Sequence, residues 1–321
     1  MKLNFQRALV TGGAGFIGSH LVEALIENKC DVVVLDNLSS GNPSNLLPFK
    51  DRITFKEGDI RDRDMLSKAA CGCDAVFHLA AVVSVPQTVE EPVDSAMVND
   101  IGTLFVLEAA RTLNIKRVVL SSSCAVYGDD PELPKNESMN VKPLSPYGVQ
   151  KLNGEHYARI YCDLYGVKTA CLRYFNVFGP RQDPSSPYSG VISIFMTKSI
   201  NAETPVIFGD GNQSRDFVFV KDVVRANLLA ANNDRAAGLV FNVGTGRSMT
   251  INELWRLTSG LSGFHGEPTH LDSRPGDIYA SLGDTRRAES DLGFKAEYDF
   301  EQGLALTFQW YKNTMTPEGH L

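Results

Sequence analysis

The sequence predicts an α/β fold: a doubly wound parallel sheet with a smaller α/β domain interleaved in the C-terminal half. Short apolar runs alternate with helical patterns over the first half of the chain, which is typical of parallel strands connected by helices. The first unit fits strand, glycine-rich turn, helix and strand into about 30 residues. After Tyr174, Pro and Gly become frequent, and this change marks the second domain.

Apolar and β-branched runs place the strands, and 3.6-residue apolar periods place the helices. The predicted strands of the first half are 8–10, 31–35, 53–55, 75–79, 117–120 and 168–172, with helices at 16–26, 65–70, 97–113 and 147–164. Later strands are expected at 206–208, 217–220 and 239–243, and a helix capped by Thr250 and Glu253 at 251–261. The first domain is predicted to span 1–176 and to be rejoined by about 217–244, and the second to span 177–216 and 245–321.

Composition excludes several classes of protein. The chain of 321 residues carries a net charge of −7 without a basic block, so neither nucleic acid nor an anionic membrane is an expected partner. No apolar run reaches membrane-spanning length, and the N-terminus enters strand-like sequence without the pattern of a signal peptide. The six cysteines are predicted to be free thiols in a reducing cytoplasm. No metal site is expected, because Cys71 and Cys73 lack a second Cys or His pair at ligand spacing.

A glycine-rich loop indicates a dinucleotide site. Gly12, Gly15 and Gly18 follow a predicted strand and open a predicted helix, where they let a pyrophosphate approach free N–H groups. Asp36 ends the next strand, and a carboxylate there accepts ribose hydroxyls and repels the extra phosphate of NADP. Asn37 follows it, not arginine. The pattern therefore predicts a Rossmann-type site for NAD, with a glycine turn that binds nothing as the alternative.

Two further strand ends extend this predicted site. Asp59 and Ile60 end the third strand and could hold adenine. Ala80 and Ala81 end the fourth strand and would leave room for the cofactor. Loop and core packing is an equal alternative for each of the four residues.

The stretch 145–151, S-P-Y-G-V-Q-K, holds a candidate proton-transfer group. Tyr147 and Lys151 lie four residues apart, and Pro146 suits the first turn of a helix, so the two side chains share one face. A cation one turn away is expected to lower the pKa of a tyrosine from about 10 toward the working range. The alternative is a solvated helix face. Ser121, Ser122 and Ser123 end the fifth strand and bring hydroxyls to the same sheet edge.

Seven motifs follow one another along nearly the whole chain: T-G-G-A-G-F-I-G-S-H (11–20), D-N-L-S-S-G (36–41), G-D-I-R-D (58–62), H-L-A-A (78–81), S-S-S-C-A-V-Y-G (121–128), Y-G-V-Q-K (147–151) and R-Y-F-N-V-F-G-P-R (173–181). In kind and order they resemble the extended short-chain dehydrogenase/reductases, and specifically the nucleotide-sugar 4-epimerases. The segments 84–88 and 142–148 also resemble the bacterial UDP-N-acetylglucosamine 4-epimerases.

The resemblance implies reversible epimerisation at C4 of a UDP-hexose through a transient 4-keto intermediate and tightly bound NAD. Ser123 matches the catalytic serine, Tyr147 would take the O4 proton, and Lys151 would hold the nicotinamide ribose. Sister dehydratases and decarboxylases carry an acidic residue where Cys124 and Ala125 stand here, which favours redox at C4 without elimination. The remaining cofactor contacts that it implies are Phe16, Ile17, Ser39, Gly41, Leu79, Asn99 and Tyr174.

The resemblance also implies a nucleotide-sugar site. Arg215 and Arg274 match the diphosphate-binding arginines, for which a surface salt bridge is the alternative. Asn176 matches a phosphate or sugar contact, and Asp277 a partner near the uridine ribose. The other implied substrate contacts are Val83, Ser84, Val191 and Phe208, the last two packing on uracil or, equally, in the core.

Ser281 stands four residues after Asp277, where the family places a residue beside the sugar C2 substituent. A tyrosine there restricts the pocket to UDP-glucose and UDP-galactose, whereas serine leaves volume for an N-acetyl group. Tyr279 lies two residues earlier, and an altered loop could bring it to that place. We therefore expect UDP-N-acetylglucosamine and UDP-N-acetylgalactosamine to be accepted as well.

Two alternatives to this function stay open. UDP-glucuronate 4-epimerisation would need a cation at the C6 carboxylate, for which Arg181 is the only nearby candidate. A non-catalytic NAD-binding regulatory scaffold would typically lack the tyrosine or the lysine, and both are present. In the family the helices 97–113 and 147–164 pair with a second subunit, so a homodimer is expected, with ordinary packing on the sheet as the alternative.

Overall fold

Parallel strands form the centre of the protein, whose computed structural model describes residues 1–183, 190–273 and 278–315. The strands are β1 Arg7–Thr11, β2 Asp31–Asp36, β3 Ile53–Glu57, β4 Ala75–His78, β5 Arg117–Ser123, β6 Lys168–Tyr174, β7 Asn176–Phe178, β8 Val206–Phe208, β9 Ser214–Arg215, β10 Phe217–Phe219, β11 Leu239–Val243, β12 Met249–Thr250 and β13 Thr269–Leu271. Seven of them make one parallel sheet in the order β11-β6-β5-β4-β1-β2-β3. This arrangement confirms the predicted doubly wound α/β fold.

Helices cover the sheet on both faces. They are α1 Phe16–Glu27, α2 Arg63–Ala70, α3 Val85–Glu90, α4 Pro92–Ala96, α5 Thr103–Thr112, α6 Pro146–Tyr165, α7 Val191–Ile200, α8 Val220–Asn232, α9 Ile251–Ser262 and α10 Phe300–Met315. The inner strands are buried on both sides and largely apolar, as in Val32, Val33 and Val34 of β2, whereas the edge strand β3 is mostly exposed. One core layer contains residues of α1 and α8, and the opposite layer contains residues of α2, α5 and α6.

A third core supports the elements that follow β6. Its buried side chains come from β7, β10, α7, α9 and α10, and its aromatic rings meet at angles, as Phe195 and Trp255 do with ring centroids 5.3 Å apart. β8 pairs with β13 and β10 with β7, so the predicted strands around the turn at 209–212 do not pair with each other. The predicted capping box is confirmed, since Thr250 and Glu253 bond each other's backbone.

Helix 97–113 differs from its prediction in the first turns. Met97–Gly102 is a π-helical turn that continues α4, and the α-helical part, α5, begins at Thr103. Within this turn Asn99 bonds the backbone of Val82 and the side chain of Gln150. The wider turn therefore brings a buried amide to the loop after β4, which an apolar period could not indicate.

The strand ends meet at one edge of the sheet. Ser123 is in register with Tyr174, and Tyr174 with Val243. Thr11 is in register with His78.

The predicted boundaries of the two domains stay a prediction. No helix within the described parts of the chain is long and apolar enough to cross a bilayer.

Candidate active site

α6 carries the predicted proton-transfer pair and has clear local signals at both ends. Ser145 caps it by accepting a hydrogen bond from Gly148 N at 3.2 Å, and Pro146 occupies its first position. Gly166 ends it in the left-handed conformation, with φ of 71°. Tyr147 and Lys151 consequently face the end of β5 from one side of the helix.

The structure brings Ser123, Tyr147 and Lys151 together. The Ser123 hydroxyl lies beside the Tyr147 hydroxyl, where it acts to lower the pKa of Tyr147. The Lys151 ammonium donates to Ser121 O at 2.9 Å and lies 3.4 Å from Ser121 Oγ. Its nitrogen is 5.7 Å from the centre of the Tyr147 ring. Ser123 Oγ also accepts from Ala125 N at 3.2 Å, which fixes the hydroxyl at the start of the turn after β5.

The expected lowering of the Tyr147 pKa is wrong for this structure. Burial raises the pKa of Tyr147 to about 12, and only the hydrogen bond from Ser123 opposes it. Burial also lowers the pKa of Lys151 to about 8, because the ammonium is partly removed from water. The Lys151 ammonium is held by Ser121 and is not among the groups that lower the pKa of Tyr147.

The glycine loop has the shape that a dinucleotide needs. Gly12 has φ of 71°, and a Cβ at Gly18 would lie 2.1 Å from Gly12 O, so both positions exclude side chains. α1 follows directly after Gly15, without a side-chain cap and without an acidic residue in its first turn. Its first residues, Phe16 and Ile17, therefore present the positive end of a helix at which a pyrophosphate binds. These residues fit NAD.

Asp36 is buried at the end of β2 and is already fixed by the backbone. Its carboxylate accepts from Ala14 N and Leu38 N, each at 2.9 Å, and a Cβ at Gly41 would lie 2.8 Å from it. A carboxylate has about four acceptor positions, so it can still take ribose hydroxyls. The loop beside it is held by Asn37, whose Oδ1 accepts from Ser39 N at 3.1 Å.

The Asp59 carboxylate, a predicted adenine contact, already accepts several hydrogen bonds from residues of its own loop and of a neighbouring one. It follows β3 by two residues, accepts two bonds from the Arg61 guanidinium at 2.9 and 2.8 Å, and takes a third from Asn37 at 2.9 Å. The Arg61 bonds lower the pKa of Asp59 to about 2. Ile60 beside it is buried in the core. Leu79, Ala80 and Ala81 follow β4, and a Cβ on Gly12 would lie 2.7 Å from Ala80 N.

A buried hydrogen-bond relay behind the glycine loop was not predicted. His78 lies between Thr11 Oγ1, at 2.8 Å from Nδ1, and Thr103 Oγ1, at 2.9 Å from Nε2. Thr103 donates onward to Asn99 O at 2.6 Å. The Nε2–H tautomer satisfies this chain, and burial lowers the pKa of His78 to about 3, so the ring is neutral. The position of His78 at a strand end, in register with Thr11, is the feature from which the relay could have been predicted.

In three of the predicted contact residues, the polar side-chain group is hydrogen-bonded to other residues of the protein. The Asn99 amide is used by Val82 and Gln150. The Tyr174 hydroxyl lies 3.0 Å from Asn227 Oδ1. Ser84 Oγ accepts from Gln87 N at 3.1 Å and caps α3. Their roles as ligand contacts stay predictions.

Ser281 lies beside the catalytic group. The Cys124 thiol lies beside the hydroxyls of Ser281 and Ser123, which lower its pKa slightly, but burial dominates and raises the pKa of this thiol to about 11. The loop of Ser281 is fixed on β9, because Ser214 N donates to Tyr279 O at 2.9 Å and Ser281 N to Ser214 O at 3.0 Å. The Tyr279 side chain is 63% exposed, so it is not the residue that borders Cys124.

A buried carboxylate fixes the surroundings of Arg215. Asp216 accepts from Thr245 N at 2.8 Å, Gly246 N at 3.0 Å and Gly283 N at 3.1 Å. Asp216 directly follows β9, and its bond from Gly283 N therefore connects the end of β9 to the segment that contains Ser281. The Arg215 guanidinium lies 2.9 Å from Ser214 O and 3.3 Å from Tyr279 O.

The other predicted substrate contacts lie at the beginning or end of nearby elements. Asn176 begins β7, Val191 begins α7 and Phe208 ends β8, each half-buried, whereas Val83 is 63% exposed. Arg274 and Asp277 lie outside the described residues. No cluster of three metal-ligating side chains occurs in residues 1–183, 190–273 and 278–315.

Comparison with known proteins agrees with this geometry. The model of the NAD dependent epimerase/dehydratase family matches residues 8–244. The UDP-glucose 4-epimerase of Mycolicibacterium smegmatis is 40% identical over 312 residues, which cover 96% of this chain and 99% of that protein. A UDP-glucuronic acid 4-epimerase of Bacillus cereus, solved with UDP-glucuronic acid and NAD, is 30% identical, with a TM-score of 0.89 over 96% of this chain and 100% of that one.

Two further solved structures are more similar. A UDP-glucose 4-epimerase of Thermotoga maritima with UDP-glucose has a TM-score of 0.93 and 41% identity over 97% of this chain and 100% of that one. A UDP-N-acetylglucosamine 4-epimerase of Methanobrevibacter ruminantium M1, in complex with UDP-N-acetylmuramic acid, has a TM-score of 0.93 and 45% identity over 98% and 100%. These findings confirm the predicted class, an NAD-dependent UDP-sugar 4-epimerase and hence an isomerase. The chain belongs to the NAD dependent epimerase/dehydratase family.

Proposed function

We propose that this protein interconverts UDP-hexoses at C4 and accepts UDP-N-acetylglucosamine and UDP-N-acetylgalactosamine as well as UDP-glucose and UDP-galactose. The observation that carries the proposal is the contact of Cys124 with both Ser281 and Ser123. It places a small side chain, Ser281, next to the reacting hydroxyls. A small residue there leaves space for an N-acetyl group at the neighbouring C2.

The catalytic roles follow from the contacts of each side chain. Tyr147 takes the proton of the O4 hydroxyl, and Ser123 hydrogen-bonds both O4 and the phenol, stabilising the phenolate against burial. Lys151, anchored on Ser121, holds the nicotinamide ribose. NAD, when bound at the glycine loop, would supply reversible hydride-transfer chemistry at C4, and its positive charge would favour the phenolate.

The residues after β5 limit this chemistry to C4. Elimination or decarboxylation needs a further acid or base beside the sugar, and Cys124 and Ala125 provide no carboxylate there. The raised pKa of the Cys124 thiol, about 11, keeps it protonated at neutral pH. Reversible redox at one carbon is therefore the reaction that these residues support.

A specific contact argues against UDP-glucuronate as the substrate. Arg181 forms an ion pair with Glu23 of α1 at 2.7 Å, and its guanidinium lies 5.8 Å from the Phe49 ring centre. One guanidinium nitrogen of this cation is therefore used in an ion pair with α1, which argues against a role at a sugar carboxylate. The complete Ser123, Tyr147 and Lys151 set likewise argues against a scaffold without catalysis.

We also propose that the protein is a cytoplasmic homodimer. Large apolar side chains are exposed at Val93 of α4, at Met97 in the turn that follows, and along α6, where Leu164 shows 70% of its surface. Single exposed apolar residues are ordinary, but a row of them on neighbouring helices is typical of an interface. Light scattering after size exclusion would measure the mass, and a monomer would contradict this assignment.

Incubation with UDP-N-acetylglucosamine and UDP-glucose in separate tubes, without added NAD, tests the function. Proton NMR of the anomeric and C4 signals follows each epimer. Formation of both galacto epimers is expected. Epimerisation of UDP-glucose alone would contradict the broad specificity, and absence of both products, with and without added NAD, would overturn the proposed substrate.

A further inference from the structure

Each serine at the end of β5 partners one residue on a single face of α6. Ser123 lies beside Tyr147, Ser121 O accepts from Lys151, and Ser122 Oγ donates to Glu155 Oε1 at 2.5 Å. Positions 147, 151 and 155 repeat every four residues and therefore align along the helix. Tyr147 and Lys151 thus make two of three contacts between the end of β5 and one face of α6, and Glu155 makes the third.

The third of these contacts involves a buried ion pair. Arg173 on β6 gives the Glu155 carboxylate two parallel bonds, at 2.8 Å from Nε and 2.7 Å from Nη2. Both side chains are only 5% exposed. Ser122 and Arg173 are also partners in the β5–β6 register. One carboxylate consequently fixes α6 to two adjacent strands at once.

Arg173 also supports the turn that follows Ser123. Its guanidinium lies 4.7 Å from the centre of the Tyr127 ring, and Tyr127 OH donates to Asn242 Oδ1 at 2.7 Å. Tyr127 ends the short helical turn that starts at Cys124, beside the proposed sugar site. The network therefore reaches both sides of the reacting group, the helix with Tyr147 and the turn with Cys124.

We propose that Glu155 and Arg173 are positioning residues for the epimerase reaction, acting by holding α6 in the register that places Tyr147 on Ser123 and Lys151 on Ser121. The proposal rests on the proposed function. A buried ion pair adds little stability compared with apolar side chains of similar volume, but it accepts only one arrangement of its partners. Glu155 is two helical turns from Tyr147, so a shift of the helix at one position moves the other.

The test removes the pair without leaving a buried charge. The double variant Glu155→Leu/Arg173→Met is compared with wild type for unfolding temperature, bound NAD, kcat and KM with UDP-hexoses. We expect a folded protein that retains NAD, with KM within about twofold and kcat lowered at least about tenfold, because misplacement of a reacting group by about 1 Å lowers rates strongly. Wild-type kcat in a folded double variant would overturn the proposal.

Two further variants complete the design. Glu155→Asp keeps the charge and shortens the side chain, so it should lower kcat in the same way, and it replaces the double variant if that protein does not fold. Arg159→Gln/Asp163→Asn removes an exposed ion pair of the same helix and should leave kcat unchanged. A Glu155→Asp protein with wild-type kcat would contradict the proposal.

A substrate-free measurement separates this inference from the proposed function. The ultraviolet absorbance of phenolate is titrated in NAD-bound wild type and double variant, where the cofactor charge favours the phenolate, each against its own Tyr147→Phe form. A shifted Tyr147 titration in the double variant is expected, whereas an identical one would overturn the positioning role. If wild type itself epimerises no UDP-hexose, the proposed function fails while this titration still decides the positioning.

Discussion

The Cys124 thiol lies beside the Ser281 hydroxyl, so the turn after β5 approaches the loop fixed on β9. This contact sets the space beside Ser123. Replacing Ser281 by tyrosine would fill that space and exclude a C2 N-acetyl group. We expect Ser281→Tyr to lower kcat/KM for UDP-N-acetylglucosamine at least about tenfold while UDP-glucose changes little, since lost pocket volume discriminates by about 1–3 kcal/mol.

The exposed Tyr279 provides the matched control for this specificity experiment. Tyr279→Ser changes a tyrosine of the same loop without approaching Cys124. Its ratio of the two kcat/KM values should equal that of wild type. A Ser281→Tyr protein with an unchanged ratio would contradict the assignment of Ser281.

Loss of the Tyr147 hydroxyl should abolish turnover and leave the cofactor bound. Tyr147→Phe keeps the ring and removes the proton acceptor, and general base catalysis contributes about 10²–10⁴-fold. NAD content after denaturation and initial rates of epimerisation measure the two properties. Tyr157→Phe, on the same helix and 37% exposed, is the control and should retain full activity. Activity of Tyr147→Phe within tenfold of wild type would exclude Tyr147 as the base.

The buried ammonium of Lys151 should lower the free energy of unfolding of the protein at neutral pH. Its pKa is lowered from 10.5 to about 8, so below pH 8 the folded state holds an ammonium that burial disfavours. Since the folded protein loses this proton first, the penalty disappears as pH rises from 8 toward 10.5. Lys151→Met should therefore raise the free energy of unfolding at pH 7 by up to about 3 kcal/mol, with a smaller gain at pH 9.5, and abolish turnover.

Urea unfolding at the two pH values measures this effect. Lys168→Met, at a half-exposed surface ion pair, serves as the control and should not increase stability at either pH. Equal gains at pH 7 and 9.5 for Lys151→Met would show that the charge of Lys151 is not the cause.

His78 should contribute to acid sensitivity. Its pKa is about 3 in the folded protein and about 6.5 unfolded, so the stability it provides is complete above pH 6.5 and is lost as pH falls toward 3. The free energy of unfolding should fall by up to about 1.4 kcal/mol for each pH unit in this window through His78 alone. His78→Gln, which can still donate and accept, should have a shallower dependence.

The exposed His156 is the control for the acid experiment. Unfolding midpoints at pH 7, 6 and 5 are compared among wild type, His78→Gln and His156→Gln. The last should follow wild type. If His78→Gln also follows wild type, His78 does not remain neutral in the folded state.

Apolar runs and helical periods predicted the central sheet well because most of its strands are buried on both faces. β11 was predicted at its observed bounds, and the first six strands were found within a few residues. The π-helical turn at Met97 was missed, since it depends on the Asn99 amide meeting a loop distant in sequence. The pairing of β8 with β13 likewise joins segments that are distant in sequence, so local sequence patterns could not predict it.

The reacting residues were predicted from spacing, but their electrostatics were not. The four-residue interval placed Tyr147 and Lys151 on one face, whereas the distance of the ammonium from the phenol depends on Ser121, which the interval does not specify. Glu155 illustrates the same limit. Its position four residues after Lys151 is visible in the sequence, yet its importance appears only with Arg173 and Ser122 around it.

The late strand β11 has a consequence for fragments of this chain. It pairs with β6 along Ala170–Tyr174 and is the edge strand on that side of the sheet, so it covers the edge of the longer, buried β6. A polypeptide that ends before Leu239 would leave this row of N–H and C=O groups unpaired, and such an edge recruits other molecules. Truncated forms that lack β11 should therefore aggregate. If the chain is divided into two fragments, the N-terminal fragment should stay soluble only when residues 239–243 are included in it or added as a separate peptide.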